Sequence, residues 1–464
     1  MSQASVMATH SKLALHGGTP VRKHPFPAYT TLGAEEKHAV SRVMERGILS
    51  QFLGCDHPDF YGGPEVQAFE RAWEHWFKMP HAISMNSATS ALIAAVGALG
   101  IEPGDEVIVC PYTMCASASV VLWYSAIPVF ADVEAEHFCL SIEAIEACIT
   151  PRTRGIIIVD IFGQPHDAQA LKKVATRHGL WVIEDTAQAP GAWYQEAYAG
   201  TLGDIGIYSL NYHKHIHTGE GGMAVTRSDD LAERLRLIRN HAEAVVGTRF
   251  PNAPPSQFAN MIGQNYRMTE LEAAIGQAQL SKLEPLLQAR QAQVAALESH
   301  LKELPCFKLS PVRDGCTHAY YLHPIQFMAD TFDTPVHRDD FLKALQAELF
   351  PEVWQGRTLS AQERLQLGRF SVGYVRPLYW EPLYQHRIAI GSQGHPWTTF
   401  HSNVTYPKGL CPTVEQLHQE TLFCHDLIRP TMSKQDLSDV ANACFKVYEC
   451  LSRPSNAQKS LLNT

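Results

Sequence analysis

A chain of 464 residues is too long for one small core and predicts two domains. Its 45% hydrophobic and 18% charged residues are ordinary for a globular protein, and a formal net charge of -9 argues against nucleic acid or an anionic membrane surface as main partner, though not against an anionic small molecule in a locally positive pocket. Eleven dispersed cysteines with no CxxC pair, no apolar leader and no apolar run of about eighteen residues lead us to expect reduced thiols, a cytoplasmic protein and no membrane span.

The opening LALHGGTPVRKHPFP is rich in turn formers, and the first twenty or so residues read as a loose arm. Helical spacing of apolar residues predicts helices over Gly33–Arg46 and Pro64–Trp76. From 82 to 226 short apolar runs alternate with amphipathic stretches. The runs are Ala82–Met85, Val107–Cys110, Val129–Ala131, Gly155–Val159, Leu180–Ile183, Gly206–Ser209 and Met223–Thr226. Such alternation implies an α/β fold with a mostly parallel seven-stranded sheet, whose ligand lies beyond the carboxyl ends of the strands. A helix is expected over Asp229–Asn240, and a long one from Thr269 that bends at Pro285 into a second domain. Past residue 306 the pattern weakens, and 330–400, rich in aromatics and prolines, is irregular. A closing helix is expected over Lys434–Leu451, with a disordered tail after Arg453. The division is an arm 1–32, a large domain 33–275, and a smaller α/β domain 276–464 carrying an irregular insertion, 313–400.

Four segments at strand ends carry candidate chemistry. Asn86-Ser87-Ala88-Thr89-Ser90 ends a strand and opens a helix, whose free N–H groups and dipole suit a phosphate; capping by Ser87 or Thr89 is the plainer reading. Glu184-Asp185 ends a buried strand, and because side chains alternate only one acid faces a given ligand. A buried Asp there needs a cation, and a protonated pyridine nitrogen is one. Lys214 lies in a loop between two strands, before the glycine-rich Gly219-Glu220-Gly221-Gly222. Burial favours the neutral amine that a Schiff base requires. His213, His215 and His217 share one face if the segment is extended, but no acid or cysteine at zinc-site spacing accompanies them, and no metal is expected. Asn265 and Arg267, before a helix that Thr269 caps, suit a phosphate or an acid.

These stretches resemble the DegT/DnrJ/EryC1/StrS aminotransferases from about residue 33 to 300, with a fainter echo near Cys411-Pro412 and in the last helix. Ser209, Lys214, Gly219, Glu220, Gly221 and Gly222 stand in register with the lysine motif S-F-x-x-x-K-x-x-x-x-G-E-G-G, with Leu210 replacing phenylalanine. The resemblance implies a fold type I transferase that uses pyridoxal 5'-phosphate. Lys214 forms the aldimine with it and shuttles the proton, Asp185 pairs with the ring nitrogen, and Gln188 contacts the ring hydroxyl. Ser209, Ala88 and Thr89 hold the phosphate, and Asn265 reaches the phosphate of a neighbouring subunit, making a homodimer with shared sites. Where the family stacks an aromatic on the cofactor this chain has Met114, with Tyr112 as a substitute. The implied reaction moves an amino group from L-glutamate or L-glutamine to a keto-sugar, nucleotide-linked in the leading version, or to a keto-cyclitol, by a ping-pong mechanism. Dehydration or elimination on the same cofactor, and a non-catalytic cofactor-binding regulator, are the alternatives. Acceptor specificity is expected in the arm, in Gln51–Tyr61 and in 313–400, with His318, Tyr320 and Tyr321 as pocket or core aromatics.

Overall fold

The computed structural model describes residues 12–350 and 370–452, together with a short pairing of 353–354 with 357–358. The tail after Arg453 lies outside the described residues.

All seven apolar runs are strands of one sheet, shifted by a residue or two. They are β1 (His81–Met85), β2 (Glu106–Val109), β3 (Ile127–Phe130), β4 (Thr153–Val159), β5 (Trp181–Asp185), β6 (Ile205–Ser209) and β7 (Gly222–Thr226). The strand order is β1-β7-β6-β5-β4-β2-β3. Only β7 runs antiparallel, against both β1 and β6. Every residue of β6 and β7 is buried, which explains why these segments read as unbroken apolar runs rather than alternating ones. Helices α1 (Ala34–Arg46), α2 (Pro64–Phe77), α3 (Ala88–Ala98), α4 (Ala116–Leu122), α5 (Ile142–Cys148), α6 (Ala168–His178) and α7 (Asp229–Arg239) surround it. α3 is apolar on every side, and from Ser90 to Ala98 it is wholly buried. Beneath β1, buried Glu70 of α2 accepts from Arg239 of α7 at 2.5 Å and from the hydroxyl of Ser84 at 2.9 Å, so an enclosed guanidinium has its counter-charge.

The expected long helix is two. Thr269 caps α8 (Glu270–Leu280) in a capping box with Glu272, and α9 (Leu283–Leu301) starts afresh. The break precedes Pro285 because in a continuous helix its ring would strike the carbonyl of residue 281; instead the proline falls in the first turn of α9, where no N–H is needed.

A second sheet joins β8 (Phe307–Leu309), β9 (His323–Phe327), β10 (Phe370–Val372) and β11 (Leu422–His425) in the order β8-β9-β11-β10, all antiparallel. α10 (Arg338–Leu349), α11 (Lys434–Leu451) and α9 pack with it around one core. The arm differs from expectation. Leu13 and Phe26 are buried in this second core, and Glu348 accepts from the N–H groups of Ala14 (2.8 Å) and Val21 (3.0 Å). Arg22 pairs with Asp436 and Asp439 of α11. The turn-rich sequence is therefore an ordered strap. Within the stretch 330–400 expected to be irregular, Leu378, Tyr379, Tyr384 and Trp397 pack on the core of the large sheet, as does Tyr406 just beyond it. No helix among the described residues is long and apolar enough to cross a membrane.

Candidate active site

At the carboxyl end of β5 the alternation of side chains separates the two acids. Glu184 turns to the far face and accepts from the N–H groups of Gly200 (2.8 Å), Leu202 (2.5 Å) and Gly203. Asp185 turns the other way and is 5% exposed. Its Oδ2 accepts from the hydroxyl of Ser117 at 2.7 Å and its Oδ1 from the N–H of Ala187 at 3.2 Å. Burial pushes its carboxyl up, while these two bonds and the nearby Lys214 charge pull it back. A carboxylate so enclosed gains most from a cation placed beside it.

Lys214 lies in an irregular loop between β6 and β7. Burial pushes its amine down to about 8, against the opposing pull of Asp185. The amine sits 4.3 Å from the centre of the Tyr321 ring. It opens into a cavity of about 340 Å³ that Tyr29, Tyr212, Arg290 and Tyr321 also line.

The other expected residues gather with different success. Ser209 ends β6 directly opposite Gly222 of β7. A Cβ at Gly222 would lie 2.4 Å from the Ser87 carbonyl carbon and 2.5 Å from the Ala88 nitrogen, so only glycine lets β7 touch the start of α3. Ser209 and Ala88 are thereby brought to one corner, with Thr89 exposed on the first turn of α3. The capping reading also holds, since the Ser87 hydroxyl accepts from the N–H of Ser90 at 3.0 Å. Asn265 is exposed beside this turn; its carbonyl accepts from Asn86 at 3.4 Å, and the carbonyl of Tyr266 accepts from the Asn86 N–H at 2.8 Å. Arg267 is committed to the Asn240 side chain at 2.9 Å, and Asn240 in turn holds the carbonyls of Leu53 and Phe60. Gln188 accepts from the N–H of Phe162 at 2.8 Å and donates to the Tyr374 hydroxyl at 3.2 Å. Met114 is 61% exposed at the turn before α4. Tyr112 is buried, and its hydroxyl accepts from the N–H of Tyr374 at 2.7 Å, which anchors the ring in the packing between loops.

The three loop histidines are not extended on one face. His215 is buried with Nε2 on the carbonyl of Ala319 at 2.9 Å, His213 is exposed, and Nδ1 of His217 accepts from the N–H of Gly219 at 3.3 Å. Tyr321 lines the cavity, whereas buried His318 stacks on Tyr320 with ring centres 4.0 Å apart.

Sequence reasoning missed Ser117, Tyr374 and the turn after β4. That turn carries Phe162 at φ 57, and it ties Asp160 N–H to the Asp185 carbonyl (3.1 Å) and the Asp160 carboxylate to the Thr186 hydroxyl (2.8 Å). Nothing in the local sequence marks Ser117, because its partner is 68 residues away. The residues present fit pyridoxal phosphate: a buried carboxylate for the ring nitrogen, a depressed amine for the aldehyde, and a helix N-terminus cornered by small residues for the phosphate.

Comparison with known proteins agrees. The family model of the DegT/DnrJ/EryC1/StrS aminotransferase family matches residues 49–352. The chain is 32% identical over 425 residues to the spore coat polysaccharide biosynthesis protein SpsC of Bacillus subtilis, covering 91% of this chain and 97% of that one. It is 34% identical over 350 residues to the L-glutamine:2-deoxy-scyllo-inosose aminotransferase of Streptomyces fradiae, covering 74% and 80%. The solved aminotransferase of Psychrobacter cryohalolentis superposes with a TM-score of 0.75 at 26% identity, covering 92% of this chain and all of that one. With the lysine loop, the buried Asp185 and this match in hand, the chain belongs to the DegT/DnrJ/EryC1/StrS family of pyridoxal-phosphate-dependent aminotransferases.

Proposed function

We propose that this enzyme moves an amino group from L-glutamine or L-glutamate to a keto-cyclitol or a keto-sugar, nucleotide-linked sugars included, in two half-reactions of ping-pong type. The observation that carries the reading is the depressed Lys214 amine sharing one cavity wall with Tyr321 and the field of Asp185. The names of two relatives, a polysaccharide biosynthesis protein and an inosose aminotransferase, support the acceptor class.

When bound, pyridoxal phosphate supplies an aldehyde that takes up the amine and a ring that accepts an electron pair. The chain does the rest. Asp185, whose carboxylate form the hydrogen bonds from Ser117 and Ala187 favour against burial, would pair with the ring nitrogen. Gln188, fixed by Phe162 and Tyr374, would contact the ring hydroxyl. Ser209, Ala88 and Thr89 would take the phosphate at the start of α3, and Met114 would supply a thioether for the ring to pack on. Lys214, whose proton burial loosens, accepts one from the donor's α-carbon and returns one in the second half. Tyr321 screens the amine from water. The working unit is a homodimer in which exposed Asn265 serves the partner's phosphate site, and exposed Ile262 and Tyr212 fit an apolar interface. The subsites follow the chain's division into an arm 1–32, a large domain 33–275 and a small domain 276–464.

The test is spectral. Donors are screened for loss of the cofactor's absorbance in the purified enzyme, then keto-cyclitols and keto-sugars for its return. Lys214→Ala abolishes both. Normal exchange with donor in that variant refutes the assignment, and product lacking an added amine places the chemistry with dehydration instead.

A further inference from the structure

The cavity beside Lys214 has a second cationic wall. Arg429 lines it too, but donates to Asp426 at 2.7 Å, and that pair is neutral. Arg290 of α9 is different. It is 6% exposed and has no carboxylate partner among the described residues. One nitrogen, Nη1, donates to the carbonyl of Tyr320 at 2.9 Å, while Nε is enclosed with no hydrogen-bond partner. The ring of Tyr29, from the arm, has its centre 5.7 Å from the guanidinium carbon, and its hydroxyl is also enclosed and unpartnered. A buried guanidinium without a counter-ion, in a wall of a cavity, is costly unless an anion arrives.

We propose that Arg290, assisted by Tyr29, seats the α-carboxylate of the amino-acid donor. This rests on the aminotransferase reading above. The chemistry of the donor selects it over the acceptor. A donor carries its carboxylate on the same carbon as the amine, so the anion site must share one small cavity with Lys214. The phosphates of a nucleotide-linked sugar lie many bonds beyond the reacting carbon. Arg290 meets the condition. It is bonded to the carbonyl of Tyr320, and the next ring, Tyr321, covers the Lys214 amine. The planar guanidinium matches a carboxylate in a way an ammonium does not. Because Tyr29 belongs to the arm, the docked strap completes the donor site.

The test uses the holoenzyme and two unreactive probes, 4-carbamoylbutanoate and glutarate, which are the skeletons of glutamine and glutamate without the amine. By titration calorimetry Arg290→Gln weakens the better probe about 10- to 100-fold, Arg290→Lys recovers part of the loss, and Tyr29→Phe loses less than Arg290→Gln. In the donor half-reaction, wild type prefers L-glutamine to 4-aminobutanamide, which lacks the α-carboxylate. Arg290→Gln removes that preference, chiefly through KM. Unchanged probe affinity, or equal losses with both amines, overturns the proposal, because a residue that only braces the loop has no reason to sense a carboxylate. Weakened binding of uridine diphosphate with carboxylate affinity intact assigns the site to the acceptor and also overturns it. If Arg290→Gln does not fold, the same comparisons are read in Arg290→Lys and Tyr29→Phe. A wild type inert to every amine sinks the aminotransferase reading, while the probe titrations still decide the carboxylate site.

Discussion

Lys214 should titrate far below an ordinary lysine, and Asp185 should be what keeps it from falling further. With the amine pushed down from the usual 10.5 to about 8, roughly 9% is neutral at pH 7, against about 0.03% for an unperturbed lysine, a gain of about 300-fold. The perturbation is Asp185→Asn, which removes a negative charge that stabilises the ammonium. The sign is fixed: the midpoint moves below 8, not above it. The assay is competitive arylation of cofactor-free protein with fluorodinitrobenzene from pH 6 to 11, read at the Lys214 peptide by mass spectrometry against added N-acetyl-lysine. A wild-type midpoint near 10.5, or no downward move in the variant, refutes the placement of the amine in an enclosed site beside the carboxylate. Linkage gives a second readout. Between about 8 and 10.5 the unfolded chain binds a proton at Lys214 that the folded chain does not, so this group makes the cofactor-free protein more stable as pH rises through that window.

Ser117→Ala leaves the buried Asp185 with one hydrogen bond fewer, at a cost of about 1–3 kcal/mol, and should weaken pyridoxal phosphate binding about 5- to 150-fold in equilibrium titrations followed by absorbance. Gly222→Ala drives a methyl against the Ser87–Ala88 backbone and should cost about 1–3 kcal/mol of stability by urea denaturation, with cofactor affinity falling because the start of α3 must move.

Much of the large domain was legible because its strands are buried on both faces, so each reads as a short apolar run whatever its neighbours. Helix α11 was equally clear, with Ser433 capping it and apolar residues at helical spacing. The candidate site was legible where its chemistry is local: Lys214 among glycines, and Asp185 ending a buried strand. Legibility failed where one partner lies far along the chain. Phe162 N–H on Gln188, Tyr374 on both Gln188 and Tyr112, and Arg290 on Tyr320 join segments with no shared sequence pattern. The arm failed for the same reason. Its turn formers say nothing about Glu348, whose carboxylate collects the arm's N–H groups from 334 and 327 residues away.

The amino-acid order by itself determined the α/β alternation, a lysine set before a glycine-rich turn, and a pair of acids at the end of a buried strand. Each depends on periodicity, or on what one residue type can do on its own backbone. Only the tertiary structure decided which acid of the pair faces Lys214, that Tyr321 covers the amine, and that the strap brings Tyr29 to Arg290. Those outcomes depend on packing between distant segments, and burial in that packing is what moves the amine of Lys214 from a solvated charge towards a neutral base.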